Sequence, residues 1–383
     1  MRKMKRAILL FFANIFSLIN QILPKKNAIL FFTNINDFND NNRALFEYII
    51  SSKLNEKYKI YYSTPKINEF LVAKNVKYIN IYKGLWVYLF SKYVFYDGGT
   101  TKIKPSKKQV VLSLWHGTPL KKIGRITEKS SKYDRFNDFT YVLTTSENCK
   151  KIFSDSFECS IDKVVVSGYP RNDYLFKPLN SIKNSKFDKK ILWMPTFRYS
   201  IRNDENDIDE SKLYEISIFK NLEELKILDL FLQEKNVLLV IKHHPLSIQN
   251  NVDFPDFQNI KIINNNTYRE LNVQNYSFVG SFDCLLTDYS SVYFDFLLLN
   301  RPIGFVIDDI EKYKNTRGFT FENPLEMMPG KIIQDKEDFY NFIKLLHSKD
   351  EYEHKRNRIK SYIHTKIDDN TACKNILELI NLY

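Results

Sequence analysis

The chain has 383 residues, a length that suits two domains, and 44% of them are hydrophobic, enough for two cores. Its four cysteines, Cys149, Cys159, Cys284 and Cys373, form no CxxC pair and have no His at ligand spacing, which excludes a disulfide framework and a zinc site and leaves reduced cytosolic thiols. Lys and Arg outnumber Asp and Glu by 57 to 45, a formal charge of +12, which suits an anionic partner such as a phosphate polymer or an acidic membrane surface; a biased composition rich in Lys, Asn, Ile, Phe and Tyr would give the same sum.

The N-terminus carries Arg2, Lys3, Lys5 and Arg6 ahead of an apolar run from Ala7 to Leu23, broken by Asn14, Ser17, Asn20 and Gln21. The run has no convincing cleavage site and is short and polar for a span of about 20 apolar residues. The polar breaks fall near one helical face, so the segment reads as an amphipathic helix on an anionic membrane surface, with an ordinary docking helix as the alternative.

After Pro24 the pattern turns α/β. Short apolar runs at Ala28–Thr33, Lys59–Tyr62, Val76–Ile79, Tyr93–Tyr96, Val110–Leu114, Tyr141–Thr144 and Val164–Val166 predict buried strands, with a helix over Asn42–Ser51. The pattern then restarts. Strands are expected at Ile191–Trp193, Val237–Ile241, Ile260–Ile263, Cys284–Thr287 and Ile303–Val306, and helices at Leu222–Gln233, Val292–Leu299, Lys336–Leu346 and Arg356–Leu382. Strands alternating with helices imply parallel sheets covered on both faces. The expected organisation is a helix over 1–26, Rossmann-like α/β domains over 27–180 and 181–350 meeting at a cleft, and closing helices over 351–383.

In open parallel sheets ligands sit at the carboxyl ends of strands, and the unusual residues fall at such ends. His116 follows Val110–Leu114 directly, poised as a general base, with Gly117 permitting close backbone approach and Thr118, Lys121 and Lys122 at the same mouth. His243 and His244 follow Val237–Ile241. Alternation along an extended chain sends one of them into the site and the other into packing; His244, on the side of Lys242, is the expected hydrogen-bond donor to a phosphate oxygen. Ser290 and Ser291 join Cys284–Thr287 to the next helix, where hydroxyls and helix N–H groups can hold a diphosphate; plain helix capping is the competing reading. Asp295, one turn on, can bind ribose hydroxyls or be a surface charge. Arg171 and Asn172 follow Val164–Val166, as candidates for a phosphate contact and a turn. Thr196 and Arg198 follow Ile191–Trp193, and Arg317 lies in a basic loop able to reach a polymer. No P-loop, GxGxxG, GxSxG, HExxH or nucleic-acid module occurs, so nucleic acid is not an expected partner. No metal-ligand set is visible and no cofactor is called for, beyond a divalent cation such as Mg2+ that can assist at a diphosphate.

The ordered set WHGTPLKKIG (115–124), GYPRND (168–173), WMPTFR (193–198), KHHP (242–245), DYSSVYFDF (288–296), RPIGF (301–305) and YKNTRGFTFEN (313–323) resembles the CDP-glycerol glycerophosphotransferase family of teichoic acid and capsule enzymes, over about residues 27–350. The resemblance implies a GT-B fold and a cytoplasmic enzyme held peripherally on the membrane. The implied reaction moves glycerol-phosphate, or ribitol-phosphate, from CDP-glycerol or CDP-ribitol to a membrane-linked polyol-phosphate or glycan acceptor. His116 then matches the family's catalytic His, His244 its second essential His, and Ser290 and Ser291 its phosphate-binding pair, while Asp295 and Arg317 match positions of less definite role. A GT-B nucleotide-sugar transferase or epimerase is the alternative reading, and a non-catalytic membrane- or polymer-binding protein a third.

Overall fold

A computed structural model describes the chain except residues 1, 34–37, 39, 66–70, 99–101, 128–129, 131–133, 196–213, 215, 244–251, 265–267, 269–272, 308–309, 311–317, 366–369 and 383. It divides into two compact units: Met1–Tyr174 with Tyr362–Tyr383, and Leu175–Ser361.

The first unit is built on seven parallel strands: β1 (Lys26–Phe32), β2 (Lys59–Ser63), β3 (Val76–Ile79), β4 (Ser91–Tyr96), β5 (Val110–Ser113), β6 (Tyr141–Thr144) and β7 (Val164–Val166). Their order in the sheet is β3-β2-β1-β4-β5-β6-β7, all pairs parallel. The second unit has six, β8 (Lys189–Trp193), β9 (Val237–Lys242), β10 (Ile260–Ile263), β11 (Cys284–Thr287), β12 (Ile303–Val306) and β13 (Lys331–Ile333), in the order β10-β9-β8-β11-β12-β13. Both follow the doubly wound 3-2-1-4-5-6 plan, which reverses direction between the first and fourth strand. The expected α/β class with two Rossmann-type parallel sheets is therefore what the chain adopts.

The reason lies in the strands themselves. Residues 28–32 of β1 and 284–287 of β11 are buried without alternation, as strands covered on both faces must be. Helices cover them through apolar stripes. Leu222–Glu234 buries Leu225, Leu228 and Leu232, and Asn221 caps its start by accepting from the Glu224 N–H at 3.0 Å. In the first unit, Ala372–Leu379 buries Cys373, Ile376 and Leu377 in the core formed by Ile29, Phe31 and Leu45.

Several elements were not expected from the sequence, among them the helices Ile81–Phe90, Lys150–Phe157 and Asn275–Val279 and the strand β13. Ile81–Phe90 is a helix whose sequence, IYKGLWVYLF, is too uniformly apolar to show a 3.6-residue stripe; Asn80 caps it by accepting from the Lys83 N–H at 2.9 Å. The edge strand β13 is three residues long, below the length at which any period shows. The region read as closing helices is two helices, Glu353–Ile363 and Ala372–Leu379.

The N-terminal helix, α1 (Arg2–Ile22), is docked through its polar side. The Asn20 amide donates to the Lys104 carbonyl and to Gln109 Oε1, both at 2.9 Å, and Asn20 is fully buried. The Lys104 N–H donates to Ser17 Oγ at 2.9 Å, and Gln21 donates to the Pro105 carbonyl at 3.1 Å. Lys25 Nζ ties the end of α1 down by donating to Asn20 Oδ1 at 2.7 Å and to the Leu89 carbonyl; burial lowers its pKa to about 8. The apolar side therefore faces outward. Leu9, Phe11, Phe12, Leu18 and Ile22 are each more than half exposed, as are Tyr82 and Trp86 of the adjacent helix Ile81–Phe90, where Phe16 packs edge-on against Trp86. Among the described residues no helix is long and apolar enough to cross a membrane.

Replacing Asn20 by Ala leaves Gln109, the Lys104 carbonyl and Lys25 short of partners in a buried site. The expected loss is about 1–3 kcal/mol of unfolding free energy, read from a lower urea midpoint at constant slope; an unchanged midpoint would mean the polar face does not hold the helix.

Candidate active site

At the end of β5 the chain turns sharply. Trp115 has φ +55° and Gly117 φ +116°, so the backbone around His116 takes left-handed conformations that only a glycine accepts easily at 117. This turn presents His116 as the exposed member of an otherwise buried string, Gly117 to Leu120. Its ring lies on the Trp115 indole with centroids 4.0 Å apart. Its Nδ1 is 3.2 Å from the Asp97 carbonyl oxygen. A carbonyl only accepts, so the neutral ring carries its proton on Nδ1 and keeps Nε2 for other work.

The loop is held from three sides. Arg171, buried in the GYPRND turn, donates from its guanidinium to the His116 carbonyl at 2.9 Å and lies 3.7 Å from the Asp40 carboxylate. Asn41, in the first turn of α2 (Asp40–Ser51), donates to the Trp115 carbonyl at 2.6 Å and accepts from the Arg171 main-chain N–H at 3.1 Å. Thr118 shares a hydrogen bond with the Thr145 hydroxyl at 3.0 Å, and Thr145 donates to the Ile363 carbonyl at 2.6 Å. Although the ring edge is exposed, the packed surroundings of the loop, followed by the Arg171 charge, hold the His116 pKa below the usual imidazole value of 6.5; the Asp97 carbonyl and Asp40 oppose them.

Other expected residues of the first unit take different roles. Arg171 spends its guanidinium on the His116 carbonyl and Asp40 rather than standing open. Asn172 is 2% exposed, and neither its Oδ1 nor its Nδ2 has a hydrogen-bond partner among the described residues. Lys121 stands half-buried beyond the turn. Asp97 carries a signal that a strand-end reading could have used. Asp97 directly follows β4, and its carboxyl is pushed up to about 7 by burial and by Asp40. That carboxyl accepts from the Asn42 main-chain N–H at 3.2 Å and from Asn42 Nδ2 at 3.1 Å.

In the second unit, Thr196, Arg198, His244 and Arg317 lie outside the described residues. His243 is the packed member of its pair: 4% exposed, parallel to Phe254 at 6.1 Å, with burial lowering its pKa to about 4. Lys242 places its ammonium 4.5 Å from the centre of the Tyr268 ring. Ser291 occupies the cap position of the helix Val292–Phe296 without using its hydroxyl as the cap, so plain capping does not account for it. Ser290 and Ser291 are both half-buried at the end of β11, next to the end of β8, where the Thr287 hydroxyl donates to the Met194 carbonyl at 3.1 Å. Asp295, expected at ribose hydroxyls, is 1% exposed and accepts from the Tyr276 hydroxyl at 2.5 Å, turned into the core. Among the described residues no group of three or more His, Cys, Asp and Glu side chains could hold a metal ion.

The pattern of the CDP-Glycerol:Poly(glycerophosphate) glycerophosphotransferase family matches residues 15–382. The teichoic acid poly(glycerol phosphate) polymerase of Bacillus spizizenii is 28% identical, over 89% of this chain and 88% of that protein. The teichoic acid glycerol-phosphate transferase of Staphylococcus aureus is 29% identical, over 82% of each. Among solved structures, a wall teichoic acid polymerase, TagF, superposes with a TM-score of 0.74 at 23% identity, covering 98% of this chain and 93% of the other, so the fold is shared.

The Arg171 charge disfavours the imidazolium, so replacing Arg171 by Gln is expected to raise the His116 pKa. NMR titration of the ring should place it below 6.5 in the wild type and higher in the variant; a pKa that does not move would remove Arg171 from the electrostatics of the turn.

Proposed function

Because the chain belongs to the CDP-glycerol:poly(glycerophosphate) glycerophosphotransferase family, and is a polyol-phosphate transferase of that kind, we propose that His116 is the general base of the transfer. A hydroxyl of a teichoic-acid or capsule acceptor attacks the β-phosphorus of CDP-glycerol or CDP-ribitol. The new P–O bond forms as the bond to the bridging oxygen breaks, CMP leaves with that oxygen, and the hydroxyl proton passes to Nε2 of His116. The observation that carries this reading is the disposition of His116: Nδ1 committed to the Asp97 carbonyl, and the ring exposed at the end of β5. A base must be neutral at working pH, and the lowered pKa favours that form.

Phosphoryl transfer depends chiefly on positioning and on stabilising charge. In this proposal the second unit supplies the latter, through the Ser290 and Ser291 hydroxyls with His244, Lys242, Thr196 and Arg198, while Arg317 meets the polymer. Ser291 supports the assignment, since its hydroxyl is not used by its own helix. Arg171 acts by holding the His116 turn, and Asp295 by accepting the Tyr276 hydroxyl's hydrogen bond.

The acceptor in this reading is membrane-linked, and the enzyme works as a peripheral protein on the cytoplasmic leaflet. Support comes from the outward apolar side of α1, continued by Tyr82 and Trp86, at the end of a segment that begins with Arg2, Lys3, Lys5 and Arg6.

Two outcomes are expected. Acceptor-dependent CMP release should be seen with CDP-glycerol or CDP-ribitol, identifying the polyol. Its kcat/KM should fall as the solution is acidified through the pKa of His116, with a midpoint below 6.5, because protonation removes the base. Release from UDP-sugars alone would favour the nucleotide-sugar alternative. Separately, the double substitution Phe11→Ser with Leu18→Ser should abolish co-sedimentation with anionic vesicles and leave the unfolding midpoint unchanged; retained sedimentation would contradict the membrane role of α1.

A further inference from the structure

We propose that Asp97 is a positioning residue, anchored by Asn42, that fixes His116 in the tautomer with the proton on Nδ1 and Nε2 free to act. The inference rests on the reading of His116 as the base and adds the device that orients it.

Both ends of Asp97 are used. Its carbonyl faces His116 Nδ1 at 3.2 Å. Its carboxyl is gripped by Asn42 from two directions: the main-chain N–H at 3.2 Å to one oxygen and Nδ2 at 3.1 Å to the other. Asn42 Nδ2 also donates to the Phe32 carbonyl at 3.3 Å. Phe32 ends β1 and Asp97 follows β4, so a single buried side chain ties together the two strands between which the sheet reverses direction. That reversal is where doubly wound sheets place their ligands. Asn41 beside it holds the Trp115 carbonyl and the Arg171 main chain. The first turn of α2 thus braces the His116 turn through two neighbouring amides.

A carboxyl kept only to cap α2 would do as well ionised in solvent. Here burial and the neighbouring Asp40 disfavour its charge, with the Asn42 hydrogen bonds and Arg171 opposing them, and the group is retained in place despite that cost. The hydrogen bonds it accepts require lone pairs, not charge, so the anchor works in either protonation state. An amide in its place keeps one accepting oxygen.

The test uses the full-length protein with 15N-labelled histidine, comparing Asp97→Ala, Asp97→Asn and Asn42→Ala with the wild type. Two readings are taken: the His116 tautomer from its ring nitrogen shifts, and kcat and donor KM for CMP release. Wild type and Asp97→Asn should show the Nδ1–H tautomer and similar turnover. Asp97→Ala and Asn42→Ala should show mixed tautomers and a kcat lower by about 10–100-fold, the usual scale for a displaced catalytic group, with donor KM little changed. Persistence of the Nδ1–H tautomer in both alanine variants would overturn the proposal, as would an equal loss in Asp97→Asn. A mixed tautomer with undiminished turnover would leave the positioning role standing and remove His116 as the base.

Discussion

Parallel strands cannot be joined by tight hairpins. Every connection must return across the face of the sheet, so all strand ends of one kind emerge on one side. This constraint shapes both units. The strand interiors are spent on burial and the helices on covering them, which leaves the loops at the carboxyl ends as the place where unusual chemistry can be afforded. In the first unit the reversal between β1 and β4 brings the start of α2 against Asp97, and the β5 loop against both. The turn at His116 then needs little of its own: a left-handed Trp115, a glycine behind it, and neighbours that accept or donate at the right points.

The same economy appears in α1. A surface helix ordinarily buries its apolar stripe and shows water its polar one. Here Ser17, Asn20 and Gln21 are consumed by hydrogen bonds to the segment around Lys104 and Gln109, and the apolar side is left outward. Inversion of this kind carries an exposure cost in water that a lipid surface would remove, whereas a docking helix of the usual orientation would have no such cost to relieve.

Much of this was legible in the sequence because strands covered on both faces are short apolar runs, and the bounds at Val76–Ile79, Tyr141–Thr144, Ile260–Ile263 and Ile303–Val306 coincide with the observed strands. Ile81–Phe90 was not, since a helix apolar on nearly every side has no period to detect, and its Asn80 cap is a short-range signal easily lost among other asparagines. At the site, His116 stands out because a histidine between a strand and a glycine has few structural reasons to be there. Asp97 and Asn42 do not stand out: their significance lies in a contact between residues 55 positions apart, made by the fold and absent from any local pattern. Asp295 shows the converse, since a carboxylate at a helix start looks available in sequence, and only the Tyr276 hydroxyl, 19 residues upstream, reveals that it is engaged in the core.

The central claim is that His116 removes a proton during transfer. The most direct test is single-turnover CMP release with saturating CDP-glycerol and acceptor, comparing wild type with His116→Ala, alongside calorimetric binding of the donor to each. The account predicts that donor binding persists and the unfolding midpoint holds, while the rate falls by about 10²–10⁴-fold, the usual contribution of a general base. A folded His116→Ala protein that binds donor and releases CMP at the wild-type rate would contradict it.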